Sequence, residues 1–202
     1  MTVFFHYSLY GFSNVYLVAN DHTKEAIIID PAEFSINLLN FIEKRDYDIK
    51  AVLVTHNHLH HIKGLRTLLK IYSAMVFGSN SIPFTSNHTI VHDGDQFTTC
   101  GLKVQILSVP GHSPDSVIFK IEKLLFTGDT LQAGLLGKTN SKYGNSLLKD
   151  QLMKKIMSQP DDCIVLPGHG PPSSIGAERS FNIGLLEKAM NVEQERYNLF
   201  LQ

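Results

Sequence analysis

Tryptophan is absent from this 202-residue sequence, and cysteine occurs only twice. Cys100 and Cys163 stand far apart, each beside apolar residues. Two buried strand thiols are therefore expected rather than a disulfide, and a reducing compartment suits them. Charge of one sign is also lacking. The formal net charge is −1 and no long basic run occurs, which leaves no footprint for nucleic acid. No apolar run approaches the length of a membrane span. The opening segment, Met1 to Phe12, is apolar but has no basic residues ahead of it and carries His6, so it reads as a strand and not a signal peptide. The expectation is a cytoplasmic protein with neither nucleic-acid nor membrane partners and a small molecule as its substrate; its oligomeric state is left open. A hydrophobic content of 43% and a charged content of 18% are globular values. With no linker, repeat or low-complexity tract, one domain over 1–202 is expected, with core enough to fold unaided.

Aromatic and β-branched residues over Thr2–Ser8 and Ser13–Ala19, with Gly11 between them, predict a hairpin. Glu25–Asp30 is a third strand, stopped by Pro31. Phe34, Leu38, Phe41 and Ile42 are spaced for a helix within Glu33–Tyr47. Strand Ile49–Val54 follows, then a helix over Ile62–Lys70 ending near Tyr72, then a short strand at Ala74–Phe77. A loop over 79–88 precedes strand, turn (Asp93-Gly94) and strand across Thr89–Thr99. Further strands are expected at Leu102–Val109, Ser116–Ile121, Lys123–Thr127 and Asp162–Leu166, a loop at 133–146, and helices at Leu147–Met157 and from Ala177 onward. Strands thus come in two batches, each followed by helices. Two sheets packed face to face with helices outside satisfy that order.

The chain is organised around Thr55-His56-Asn57-His58-Leu59-His60-His61, four imidazoles directly after an apolar strand. Imidazole is the commonest metal ligand at neutral pH. His56 and His58, two residues apart in an extended segment, lean to the same side and can grip one ion; His61, further on, is better placed for a neighbouring one. Three more strand ends carry a potential ligand beside a glycine: His112 in Pro-Gly-His-Ser-Pro, Asp129 in Thr-Gly-Asp-Thr and His169 in Pro-Gly-His-Gly. Any one of these alone is ordinary turn chemistry. Four of the same form point to one metal site on a common rim.

In order along the chain, Asp30-Pro31, Thr-His-x-His-x-x-His at 55–61, Pro-Gly-His-Ser-Pro at 110–114, Leu-Phe-Thr-Gly-Asp-Thr at 125–130 and Leu-Pro-Gly-His-Gly-Pro at 166–171 resemble the metallo-β-lactamase superfamily. Within it they resemble the glyoxalase II-like (hydroxyacylglutathione hydrolase-like) branch, over roughly Phe12 to Asn182. The resemblance implies an α+β fold, a four-layer αββα sandwich of two mixed β-sheets packed face to face. It implies two metal positions, one held by His56, His58 and His112, the other by His61 and His169 with help from position 60, and Asp129 bridging both. Zinc, one or two ions, suits such donors; iron or manganese is compatible. The implied activity is a metal-dependent thioester hydrolase, attacking a hydroxyacylglutathione-type substrate through a metal-bound hydroxide.

One residue departs from the family's pattern, which has Asp where this chain has His60. The imidazole is a substitute ligand, or a proton carrier near neutral pH beside Asp129, or the mark of a loosened second position; the last is the reading preferred from the sequence. Two alternatives to the hydrolase follow: a mononuclear iron persulfide dioxygenase, with His56, His112 and Asp129 as its set, and a metal-binding member with reduced catalysis because of His60. The 133–146 loop supplies Lys138, Lys142 and Tyr143 as candidate substrate-binding residues for a carboxylate, against the competing reading of a solvated loop. Full-length glyoxalase II enzymes carry a helical C-terminal extension. Here Glu187 to Gln202 reads as an amphipathic helix, and a smaller or more open substrate site is expected.

Overall fold

The computed structural model describes residues 1–186. The Glu187–Gln202 helix expected above lies outside the described residues. Two six-stranded mixed sheets face one another. The first holds, in spatial and chain order, β1 (Thr2–Tyr7), β2 (Asn14–Ala19), β3 (Glu25–Ile29), β4 (Asp48–Leu53), β5 (Met75–Gly78) and β6 (His88–Ile90). β1, β2 and β3 pair antiparallel, and β3 through β6 pair parallel. The second sheet contains β7 (Gln96–Thr99), β8 (Leu102–Ser108), β9 (Val117–Ile121), β10 (Leu124–Gly128), β13 (Ile164–Pro167) and β14 (Ser173–Ser174). Its spatial order is β14-β13-β10-β9-β8-β7, antiparallel throughout except for the β10–β13 pair. A separate hairpin joins β11 (Leu131–Gln132) to β12 (Leu135–Leu136).

Alternation along the strands sorts the core into three layers. In β2, Val15, Leu17 and Ala19 face α1 (Ile36–Lys44), α2 (Leu59–Ile62) and α3 (Leu65–Leu68) on the outside of the first sheet. Tyr16 and Val18 of the same strand point inward, with Ile27, Leu53, Phe119 and Phe126, to fill the space between the sheets. Ile118, Leu125 and Val165 face outward again, against α4 (Lys142–Gln151) and α5 (Ile175–Phe181). Strands covered on both faces read as continuous apolar runs, which is why Ala26-Ile27-Ile28-Ile29 shows no polar alternation. This is the αββα sandwich expected from the motifs.

Two local expectations are corrected. The helix expected over Ile62–Lys70 is two short turns, α2 and α3. It breaks at Gly64, whose backbone packs so closely on Pro31 and Phe34 that an added Cβ would come within 2.6 Å of the Pro31 carbonyl. The strand, turn and strand expected over Thr89–Thr99 are present, with β6 in the first sheet and β7 in the second; Asp93-Gly94 carries the chain across. The 133–146 loop contains β12 and the first turns of α4, capped by the Ser141 hydroxyl, which accepts from the Gly144 N–H at 3.0 Å. The outer helix then continues as a wider π turn over Leu152–Ile156.

Candidate metal centre

Strand direction gathers the ligands. β8 and β10 are both antiparallel to β9, and β13 is parallel to β10, so β8, β10 and β13 all end on the same rim. His112, Asp129 and His169 follow those ends. The end of β4 is joined to this rim by the Val117 N–H, which donates to the Thr55 carbonyl at 2.9 Å, and His56, His58, His60 and His61 follow it. The chain must pass very tightly here. An added Cβ on Gly168 would lie 2.5 Å from the His61 ring and 2.7 Å from the Asp129 carboxylate, so glycine is required beside both.

The ligand atoms converge on one carboxylate. Around Asp129 Oδ2 stand Nε2 of His60 at 3.4 Å, His169 at 3.5 Å, His112 at 3.7 Å and His56 at 4.0 Å; His61 Nε2 is 3.3 Å from Oδ1. Two groups have donor atoms close enough to share an ion: His56, His58, His112 and Asp129; and His56, His60, His61 and Asp129. Every residue expected as a ligand is thus in one cluster. His169 joins it through its contacts with Asp129, His60 and His61.

The hydrogen bonds around the rings fix which nitrogen faces inward. A carbonyl or carboxylate accepts only, so Nδ1 carries the proton where His112 donates to Lys138 O (2.7 Å), His169 to Phe12 O (3.0 Å) and His61 to Asp30 Oδ2 (3.0 Å). The Thr55 hydroxyl donates to Asp30 Oδ2 at 2.7 Å and so accepts from His56 Nδ1 at 3.1 Å. All four rings therefore turn Nε2 towards Asp129, bare whenever the ring is neutral. His58 Nδ1 lies 2.9 Å from His56 Nε2 and 3.1 Å from His112 Nε2, so three ring nitrogens meet with at most one proton among them. Nε2 of His61 and Oδ1 of Asp129 are buried and have no hydrogen-bond partner. Lone pairs crowded together and orphaned buried atoms are the pattern a cation satisfies. The residues fit a divalent metal.

The electrostatics agree. Burial disfavours the charged form of His56 and pulls its pKa far down, reinforced by His61 nearby. Burial also opposes charge on His61, but Asp30 and Asp129 on its two sides outweigh this and carry its pKa up to about 9. Burial favours a neutral Asp129, yet the imidazoles of His169, His60 and His61 outweigh it and hold the carboxyl ionised far below its usual range. The centre is built around a permanent anion.

A cavity of about 520 Å³ opens over the cluster, lined by His58, His60, His112, Asp129 and His169 and by Gln132, Leu135, Leu136 and Lys138. Of the three residues expected to bind substrate, Lys138 is among the lining residues. Lys142 and Tyr143 are exposed on the first turn of α4 and are not among the lining residues. The sequence reading missed the supports: Asp30, which was noted only as a motif, and the carbonyls of Phe12 and Lys138. A backbone acceptor leaves no trace in residue type.

A carboxylate ringed by six imidazoles at the shared rim of two sheets defines a candidate metal centre in an αββα sandwich. Residues 10–169 match the metallo-β-lactamase superfamily, and the chain belongs to that family. It is 30% identical over 193 residues to the hydroxyacylglutathione hydrolase GloC of Haemophilus influenzae, covering 84% of this chain and 91% of that one. It is 30% identical over 150 residues to a hydroxyacylglutathione hydrolase of Blochmanniella pennsylvanica, where it covers only 59% of the relative's length. Among solved structures, ETHE1 from Myxococcus xanthus superposes with a TM-score of 0.80 at 30% identity, covering 90% of this chain and 83% of that one. The BLEG-1 B3 metallo-β-lactamase superposes with a TM-score of 0.80 at 26% identity, covering 91% and 99%. Among the described residues no helix is long and apolar enough to cross a membrane.

Proposed function

We propose that this protein is a zinc-dependent hydrolase cleaving thioesters of the hydroxyacylglutathione type. The observation that carries the reading is the convergence of His56, His58, His112, His61 and His169 on both oxygens of Asp129, at the floor of an open cavity. The relatives named as hydroxyacylglutathione hydrolases support the substrate class. A divalent cation held there supplies Lewis acidity to a carbonyl and a water nucleophile near neutral pH.

The chain's own residues do the rest. Among the described residues Asp129 is the one carboxylate lining the cavity and holds the cluster together, while Asp30 and the Phe12 and Lys138 carbonyls keep the imidazoles in the tautomer that binds. Leu135 and Leu136 give one wall an apolar surface for an acyl or thioether segment. The Lys138 ammonium at the rim suits a carboxylate of the leaving thiol or the acid. A thioester needs little help with its leaving group, and among the described residues no hydroxyl or thiol nucleophile stands in the cavity lining. Ser113 and Ser116 are buried and hydrogen-bonded to each other at 2.7 Å, a turn role.

Zinc-loaded protein assayed with S-lactoylglutathione and simpler thioesters tests this, with hydrolysis above the metal-stripped control as the expected result. Failure on every thioester and ester sinks the hydrolase. Oxygen uptake with glutathione persulfide by the iron-loaded protein would instead assign the dioxygenase alternative, which uses fewer donors than this cluster brings together. Zinc retained with none of these activities would assign the non-catalytic metal-binding alternative.

A further inference from the structure

We propose that His60 is a ligand of a second divalent-cation position, together with His61, His169 and Asp129, and that this nitrogen-rich set takes Zn²⁺ in preference to Mn²⁺. The inference rests on the cluster being a metal site, as above, but not on thioester chemistry.

The His60 imidazole is aimed at the same oxygen as the others. Its Nε2 stands 3.4 Å from Asp129 Oδ2, nearer than that of His169, His112 or His56. Its ring stands against His61 at 4.5 Å and His169 at 5.1 Å between centroids, so three imidazoles bracket one side of the carboxylate. On that side lie the two orphaned atoms, His61 Nε2 and Asp129 Oδ1, the first on a fully buried side chain. A proton between them serves only those two; a cation there serves them and His60 together. His60 is also held in place. The Ser13 hydroxyl donates to its carbonyl at 2.7 Å, and Gly11, at φ 66°, lies so close that an added Cβ would be 2.5 Å from the His60 Cβ. The same turn between β1 and β2 presents Phe12 O to His169. One loop thus orients two of the ligands, whereas Lys138 O, from the other side, orients His112.

The donor set then decides the metal. Three neutral imidazoles and one shared carboxylate suit zinc and other later divalent ions, whereas manganese and magnesium want several oxygens. Among the described residues Asp129 is the one carboxylate lining the cavity, and it is shared, so the second position has no carboxylate of its own.

The test is the ion count of the full chain, stripped by a chelator and dialysed against excess Zn²⁺, with folding followed by circular dichroism. Expected are two ions per wild-type chain and one in His60→Ala, with Zn²⁺ retained against an about tenfold excess of Mn²⁺. His60→Asp returns the count to two and admits Mn²⁺. Wild-type protein that saturates at one ion overturns the proposal, and needs no variant. So does a folded His60→Ala protein that keeps two ions at unchanged affinity, which would make His60 a proton carrier, or a wild-type second position that prefers Mn²⁺. Should His60→Ala not fold, Co²⁺ titration of the wild type decides: a second equivalent with a nitrogen-rich tetrahedral absorption supports the proposal, and no second equivalent overturns it. A protein that binds two ions and cleaves no thioester refutes the proposed activity and leaves this inference standing.

Discussion

Asp30 stands between two imidazoles of the candidate metal centre, His61 and His56, and sets both. Its Oδ2 accepts from His61 Nδ1 at 3.0 Å and from the Thr55 hydroxyl at 2.7 Å; Oδ1 accepts the Thr55 N–H at 2.8 Å. Thr55 in turn orients His56. The backbone of Asp30 is at φ 50°, a conformation Asn tolerates as well as Asp does. Asp30→Asn therefore leaves the backbone preference alone and turns one oxygen into an NH₂ facing two donors. The expected cost is about 3 kcal/mol of stability, because buried donors lose their acceptor. Metal affinity is expected to fall about 10- to 100-fold, as for other outer partners of metal-bound histidine. Chemical denaturation and a chelator competition read the two effects separately. Unchanged affinity would show that His61 and His56 keep their orientation without Asp30.

Gly11 gives a sharper probe of the second position. At φ 66° a side chain is strained, and a Cβ there meets His60 at 2.5 Å. Gly11→Ala is expected to cost about 1–2 kcal/mol of stability from the left-handed backbone alone. Beyond that cost, it should weaken the proposed second ion and spare the first, for which His112 is oriented by Lys138 O and not by this turn. Stepwise zinc titration by calorimetry distinguishes the two sites. Equal weakening of both would mean that the turn acts on the whole rim.

Much of this centre was legible in the sequence, for a physical reason. Ligands that follow strand ends need sharp turns, and sharp turns need glycine, so Pro-Gly-His, Thr-Gly-Asp and Pro-Gly-His-Gly announce both the turn and the side chain it presents. The buried strands announced themselves by apolar runs covered on both faces. Two things were hidden. Asp93-Gly94 has the chemistry of a hairpin turn, and nothing local says that its flanking strands join different sheets. The start of α4 carries Gly144 in its first turn, a poor helix residue, and only the Ser141 cap marked it. That second miss moved Lys142 and Tyr143 from an expected loop onto a helix beside the cavity lining rather than in it.

Lys138, and not Lys142 or Tyr143, is then the candidate to face the proposed substrate. Lys138 is among the residues lining the cavity and holds His112 by its carbonyl, so Lys138→Ala removes the ammonium and keeps the support. For a carboxylate-bearing thioester the expected effect is a KM raised about fivefold with kcat unchanged, since an exposed ion pair contributes about 1 kcal/mol. Lys142→Ala and Tyr143→Ala should leave KM where it is. Steady-state kinetics of the three variants check this, and a KM effect in Tyr143→Ala with none in Lys138→Ala would place substrate on the α4 side of the rim.

Asp93 ties the crossing between the sheets to the outer helix, and its behaviour with pH is fixed by its partners. Its carboxylate accepts from Ser108 N at 2.7 Å and from the Lys155 ammonium at 2.8 Å, and Lys155 also donates to Ser108 O. Burial tends to raise its pKa, but Lys155 and the Ser108 N–H outweigh that and hold it below the usual carboxylate value. A carboxyl whose pKa is lowered on folding stabilises the fold above its unfolded pKa, and that contribution is lost as pH falls through the folded value. Both side chains keep some contact with solvent, so the worth of the arrangement is about 1 kcal/mol. Asp93→Asn should therefore be less stable than wild type by about that amount near pH 7, and the difference should shrink as the pH is taken below about 4, where the unfolded carboxyl is protonated. Urea denaturation of both proteins across that range is the measurement. A difference that stays constant down to low pH would mean that the Asp93 charge contributes nothing and that only its shape matters.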